Sequence, residues 1–239
     1  NFIKNSEFDF VLCLNPNYKK YEKITNISFK FWPNAVDHEV FNCMGNFSKI
    51  KKYDLCFSGL VQNFYHDDLN TSLRTKVLQN LFYSIGRFRI IKKIKYSNLK
   101  IFWNSFTGKR YFDYMLKKLN RYSFLNEQQY TQLIQESKVV LNTLGPSELI
   151  GPRYFETMIS GAISLCEKST LYEEVFEADR HYVSFEKDLS NFDEKLKFAL
   201  SDSKEIEKIK QNAYNYVSSN HTYNKRALDM IDWLYKIKK

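Results

Sequence analysis

Short apolar runs of strand length recur along the chain with segments of helical spacing between them. This alternation limits the fold more than any other property of the sequence. The runs are 54-DLCFSGLV-61, 99-LKIFW-103, 138-KVVLNT-143, 162-AISLC-166 and 181-HYVSF-185. Between the first two, Leu73, Val77, Leu78 and Leu81 share one helical face, with Asp67, Asp68 and Asn70 as candidate caps. Further helices are expected over 109-KRYFDYMLKKL-119, 126-NEQQYTQLIQESK-138, near 169-STLYEEVF-176, over 188-DLSNFDEKLKFALSD-202, and over residues 203–219 and 222–236, the last capped by Thr222. Strands alternating with helices predict an α/β fold, a Rossmann-like doubly wound parallel sheet covered on both faces, with helices closing the C-terminus. Upstream, 8-FDFVLCL-14 is another strand-length run, and the polar stretch 15–30 reads as a linker. In 28-SFKFWPNAVDHEVF-41, Trp32-Pro33 demands extended backbone, and Asn34 and Asp37 are turn formers. A strand end running into a loop is expected there, without a helix.

Aromatic content of 17% and hydrophobic content of 44% exclude a disordered chain, and 239 residues suffice for a sizeable core. No run reaches the ~20 apolar residues of a bilayer span, and no signal peptide is evident. Cys13, Cys43, Cys56 and Cys166 form no C-x-x-C pair and stand at no ligand spacing from His38, His66, His181 or His221. Buried thiols in a reducing, cytoplasmic compartment are expected, with no zinc. The net charge of +9 suits a polyanionic partner, whether nucleic acid, an acidic membrane surface touched peripherally, or phosphorylated substrates. Yet the lysines are scattered, apart from 92-KKIK-95 and 236-KIKK-239, as compositional drift in a chain rich in Lys, Asn, Ile, Phe and Tyr would leave them. No nucleic acid partner is therefore expected.

The most informative segment is 147-SELIGPRYFETMISGAISLCE-167. Pro152 suits a first helical position. Arg153, Glu156 and Ser160 then share one helical face, and Phe155, Met158 and Ile159 the opposite one. One face is built to pack, while the other offers a cation and an acid beside a helix N-terminus, where free N–H groups and the dipole favour an anion. An acid one turn deeper can accept both hydroxyls of a diol. Gly59, the stretch 142–153 and Glu167 all follow predicted strand ends, and open α/β sheets bind ligands on that rim.

These segments resemble, in order, those of a GT-B glycosyltransferase of the "glycosyl transferases group 1" type and its CgeB-like, spore-maturation-protein relatives. WPNAVDHEVF resembles the family's interdomain passage, DLCFSGLV its first C-domain strand and glycine turn, and SKVVLNT the strand before the nucleotide loop. GPRYFETMISGAISLCE resembles its R-x-F-E-x-x-x-x-G signature, and 220-NHTYNKR-226 the opening of its last helix. The resemblance covers residues 30–230. It implies a donor-binding half that takes a nucleoside-diphosphate sugar, hexosyltransferase-like, retaining and metal-independent, with no cofactor beyond the donor. By resemblance Glu156 holds the ribose hydroxyls, Glu148 the donor sugar as the catalytic residue, and Arg153 the diphosphate, with Gly59, Arg74 and Gly151 completing the cradle. The loop after Glu148 reads Leu-Ile-Gly and departs from the family's glycine-rich form. The implied organisation is a remnant of an N-terminal domain with linker at 1–44, a nucleotide-sugar-binding domain at 45–220 and a C-terminal helix at 221–239. The chain opens on sequence that reads like a protein interior, so an N-terminal acceptor-binding domain upstream is expected.

Other candidates read as structural. His181 and His221 are expected to pack, and Asp37 and Glu39 to serve a turn. The competing functions are a basic nucleic-acid-binding module and a non-catalytic scaffold on the same fold.

Overall fold

Five parallel strands form the central sheet: β3 (Tyr53–Leu60), β6 (Ile101–Phe106), β7 (Ser137–Leu141), β8 (Ile163–Glu167) and β9 (Val183–Phe185). The structure, a computed structural model, describes residues 8–45, 47, 51–60, 73–74, 76–77, 82–83, 93–94, 98–106, 125–144 and 149–237. The strands stand in the order β6-β3-β7-β8-β9, each parallel to its neighbours. The chain leaves β3 for β6 on one side, then crosses to β7 on the other. The carboxyl ends of β3 and β7 therefore flank the point where the winding reverses, and an open sheet has its natural crevice there.

Period-two alternation explains why both faces are covered. Leu55 and Phe57, Val139 and Leu141, Ile163 and Leu165, and Val183 and Phe185 point to one side, under α6 (Phe192–Ala199) and the start of α7 (Lys204–Asn220). Cys56, Val140 and Cys166 point to the other, under α3 (Glu127–Gln135), α4 (Pro152–Ile159) and the later turns of α7. Asn126 and Gln129 form a reciprocal capping box at the start of α3. Near the end of the chain α8 (Tyr223–Ile237) follows His221 and Thr222, and the Thr222 hydroxyl accepts from the Lys225 amide as expected of a cap.

Several expectations need correction. The stretch 15–30 is no bare linker, because α1 (Tyr18–Thr25) and β2 (Ser28–Phe31) lie in it, and β2 pairs in parallel with β1 (Phe10–Cys13). The helix was hidden because it buries no residue; Asn26, at φ 60, ends it, and the Glu22 carboxylate accepts from the Phe29 amide to start the strand. The expected loop near residue 40 contains a helical turn, α2 (His38–Phe41), whose start Asp37 caps by accepting from the Glu39 amide. β4 (Phe82–Tyr83) and β5 (Lys93–Ile94) pair antiparallel, outside the parallel scheme. The 169–176 helix is only α5 (Thr170–Glu173), and the 188–202 helix spans only α6. Residues 73, 74, 76 and 77 are helical; the rest of that expected helix and the helix at 109–119 lie outside the described residues.

The upstream segment is stitched to the end of the chain. Val36 donates to the His221 carbonyl and accepts from the Tyr223 amide, and Trp233 packs against Phe10 and Trp32.

Candidate functional site

α4 is buried almost all round. Tyr154, Phe155, Thr157, Met158 and Ile159 are buried, leaving Pro152 exposed with Arg153 and Glu156 partly so. Ser160, expected on the polar face, is 1% exposed and donates to the Phe41 carbonyl. It turns inward because the helix lies against α2 as well as the sheet. The polar face is therefore reduced to two side chains at the helix start.

That start is chemically open. Gly151 is the N-cap, extended at φ −74, and offers no side chain to the first amides. Among the described residues, its chain neighbours aside, no atom lies within 4 Å of where a Cβ at Gly151 would stand. The first-turn N–H groups of a helix have no intrahelical partner, so an uncapped terminus facing open space favours an anion.

Gly59, in the last turn of β3, meets the same place. A Cβ there would stand 2.9 Å from Arg153 Nη1 and 3.0 Å from Nη2. The Nη1–Nη2 edge of the guanidinium thus points at the strand, since its central carbon stands farther off at 3.4 Å, and a glycine leaves room for it there. A second guanidinium arrives from the far side of the crevice. Arg74 donates from Nε to the Thr143 hydroxyl at 2.8 Å and from Nη2 to the Thr143 carbonyl at 2.9 Å, just beyond β7. Burial, then the charge of Arg153, push Arg74 below its usual range. Two cations that repel each other in a partly buried place have the chemistry to receive an anion.

Glu156 completes the cluster. Its Oε2 accepts from the Tyr130 hydroxyl of α3 at 3.2 Å. Burial raises its carboxyl above the ordinary value, opposed by the Tyr130 bond and the Arg153 charge. Burial likewise pushes the Tyr130 phenol up, so it stays protonated and donates. Among the described residues Glu156 Oε1 makes no hydrogen bond.

The structure thus brings Gly59, Arg74, Gly151, Arg153 and Glu156 to the carboxyl ends of β3 and β7. Glu148 lies outside the described residues. Three residues without a role assigned from sequence join the group: Tyr130, Thr143 and, as a buried carboxyl, Glu167. Glu167 ends β8 and is 2% exposed; its Oε1 accepts from the Leu144 amide at 2.8 Å. Burial raises its carboxyl. Its place past a strand end was the one sequence signal. Thr143 shared that signal, within the stretch 142–153, while Tyr130 had none, since it acts through Glu156, distant in sequence.

The remaining candidates sit away from the crevice. His221 is buried among Phe155, Phe176 and Tyr216, and Arg226 Nη2 lies 2.8 Å from its Nδ1. His181 stacks on Tyr216. Cys56 and Cys166 are buried, and burial pushes the Cys56 thiol up to about 12, which removes it as a nucleophile.

Residues 85–232, more than half of the chain, match the glycosyl transferase-like family. No curated protein is significantly similar. Among solved structures, HepE of Anabaena in complex with UDP and glucose superposes with a TM-score of 0.62 at 12% identity, over 95% of this chain and 63% of that one. Sucrose-phosphate synthase of Thermosynechococcus elongatus gives 0.62 at 12%, over 98% and 59%. A glycosyltransferase of Rickettsia africae gives 0.62 at 13%, over 97% and 64%. The chain thus spans about three fifths of the length of these structures. With the sheet order, the reversal of winding and this match together, the chain belongs to the glycosyl transferase-like family and has the fold of the C-terminal half of a GT-B glycosyltransferase.

Proposed function

We propose that this chain binds the donor of a hexosyltransferase-like reaction, a nucleoside-diphosphate sugar, and that the whole protein transfers the sugar with retention and without a metal. The observation that carries the reading is the pair of guanidiniums, Arg74 and Arg153, facing one crevice beside the uncapped start of α4, with Glu156 one turn deeper. Arg153 and the open amides hold the diphosphate; planar, bidentate donors fit its oxygens. Glu156, already fixed by Tyr130, accepts the ribose hydroxyls through its other oxygen. Charge grows on the diphosphate as the glycosidic bond breaks, so cations fixed there stabilise the transition state more than the ground state. That fixed positive charge can do the work a divalent ion does in a metal-dependent transferase. Retention rests on the resemblance alone, in which two acids at the spacing of Glu148 and Glu156 serve the donor, Glu148 serving the sugar. A further N-terminal domain would hold the acceptor. That HepE was solved with UDP supports the donor class for this fold.

Calorimetric titration with UDP and GDP tests the site. Arg153→Ala and Glu156→Ala should each weaken binding about tenfold, the worth of one charged hydrogen bond, with the fold intact. Unchanged affinity in both variants would remove the site. A reaction insensitive to EDTA is expected of the whole protein.

A further inference from the structure

The open start of α4 raises a mechanical question. A helix N-terminus is ordinarily fixed by a side chain that accepts from its first amides. Here such a cap would occupy the donors that face the crevice, and Gly151 supplies none. The terminus must then be held by something that leaves those donors free. Asn34 does this: its Nδ2 donates to the carbonyl of Ile150 at 2.7 Å, across 116 residues of sequence. Ile150 precedes the N-cap and is itself 2% exposed, so its carbonyl is a rigid point of attachment. Holding that carbonyl orients the first turn and consumes none of its N–H groups.

Asn34 is anchored in its turn. Pro33 before it has a fixed φ, and Val36 after it exchanges hydrogen bonds with His221 and Tyr223 at the α7–α8 junction. Trp32 lies against Trp233 of α8. The 32–36 passage is thus tied at one end to the last two helices and at the other to the helix that carries Arg153.

We propose that Asn34 is a positioning residue for the α4 terminus, through which the seating of the 32–36 passage sets the affinity of the crevice for a nucleoside diphosphate. The ligand class rests on the function proposed above; the mechanical coupling does not. The test uses Asn34→Ala and Asn34→Asp, the second because aspartate keeps the shape and cannot donate at neutral pH. UDP affinity is measured by calorimetry, melting by calorimetric scan, and, in the absence of ligand, amide exchange of residues 156–158, whose N–H groups bond back to the carbonyls of the first turn. Both variants should bind UDP about fivefold more weakly, the loss of one hydrogen bond, and exchange faster at those amides. Melting should stay within about 3 °C of wild type, as suits loss of a half-buried bond. Unaltered exchange together with unaltered affinity overturns the proposal. So does a much larger fall in melting temperature, which would make Asn34 a general structural support. If the wild-type chain binds neither UDP nor GDP, the donor reading fails by itself, and the exchange rates alone decide whether Asn34 holds the helix.

Discussion

Gly59 shows how one missing methyl group can shape a site. Its backbone makes ordinary strand pairs with β6, so glycine is not needed there for conformation. It is needed for space, because Arg153 occupies the volume a side chain would take. Gly59→Ala should therefore displace the far end of a flexible side chain and leave the sheet alone. We expect UDP affinity to fall about tenfold with melting almost unchanged. A large drop in melting temperature with intact binding would contradict this account. The residue was legible in sequence as a glycine after an apolar run. Its partner was not, since a contact between residues 59 and 153 leaves no local periodic mark.

At the scale of elements, α4 ends as deliberately as it starts. Gly161 has φ +73, its amide donates to the Met158 carbonyl, and the next amide donates to Thr157. This is a Schellman motif, which needs a left-handed residue. A Cβ at Gly161 would stand 2.7 Å from Phe47 Cδ1 and 3.1 Å from Cys43 Sγ. Gly161→Ala should cost about 1–2 kcal/mol for backbone conformation alone, with the overlap added, and lower the melting temperature by several degrees. A melting curve matching wild type would refute that assignment. The start of α4 followed from Pro152, and β7 and β8 followed closely from the apolar runs. Local signals were strong there because most residues of these elements are buried. The sequence hid α1, which buries nothing, and the pairing of β4 with β5, whose strands are two residues each. It also misjudged Ser160: helical periodicity gives the side of a helix, while α2, a single turn unseen in the sequence, decides that this side is covered.

For the whole molecule, acid sensitivity is set where the two ends of the chain meet. His221 lies between the site helix and the last helix, and burial, then the Arg226 charge, lower it to about 4, against a small opposing pull from Asp229. Only the neutral ring fits. The unfolded chain gains a proton near 6.5, so the stability from this group is complete above that pH. It is lost as pH falls from 6.5 toward 4, amounting to about 3 kcal/mol at the lower end. His221→Gln keeps an acceptor for Arg226 and cannot protonate. Urea unfolding at pH 7 and pH 4.5 should show a shallower pH dependence in the variant than in wild type; parallel losses would place the sensitivity elsewhere.

The two hydrogen bonds from Arg74 to Thr143 have a consequence for how any anion would be received. A cation lashed to a strand end has already given up its torsional freedom, so an arriving phosphate has little disorder left to suppress in it. Lysine would bring equal charge but no planar fork to moor, and would have to be stilled afresh in each encounter.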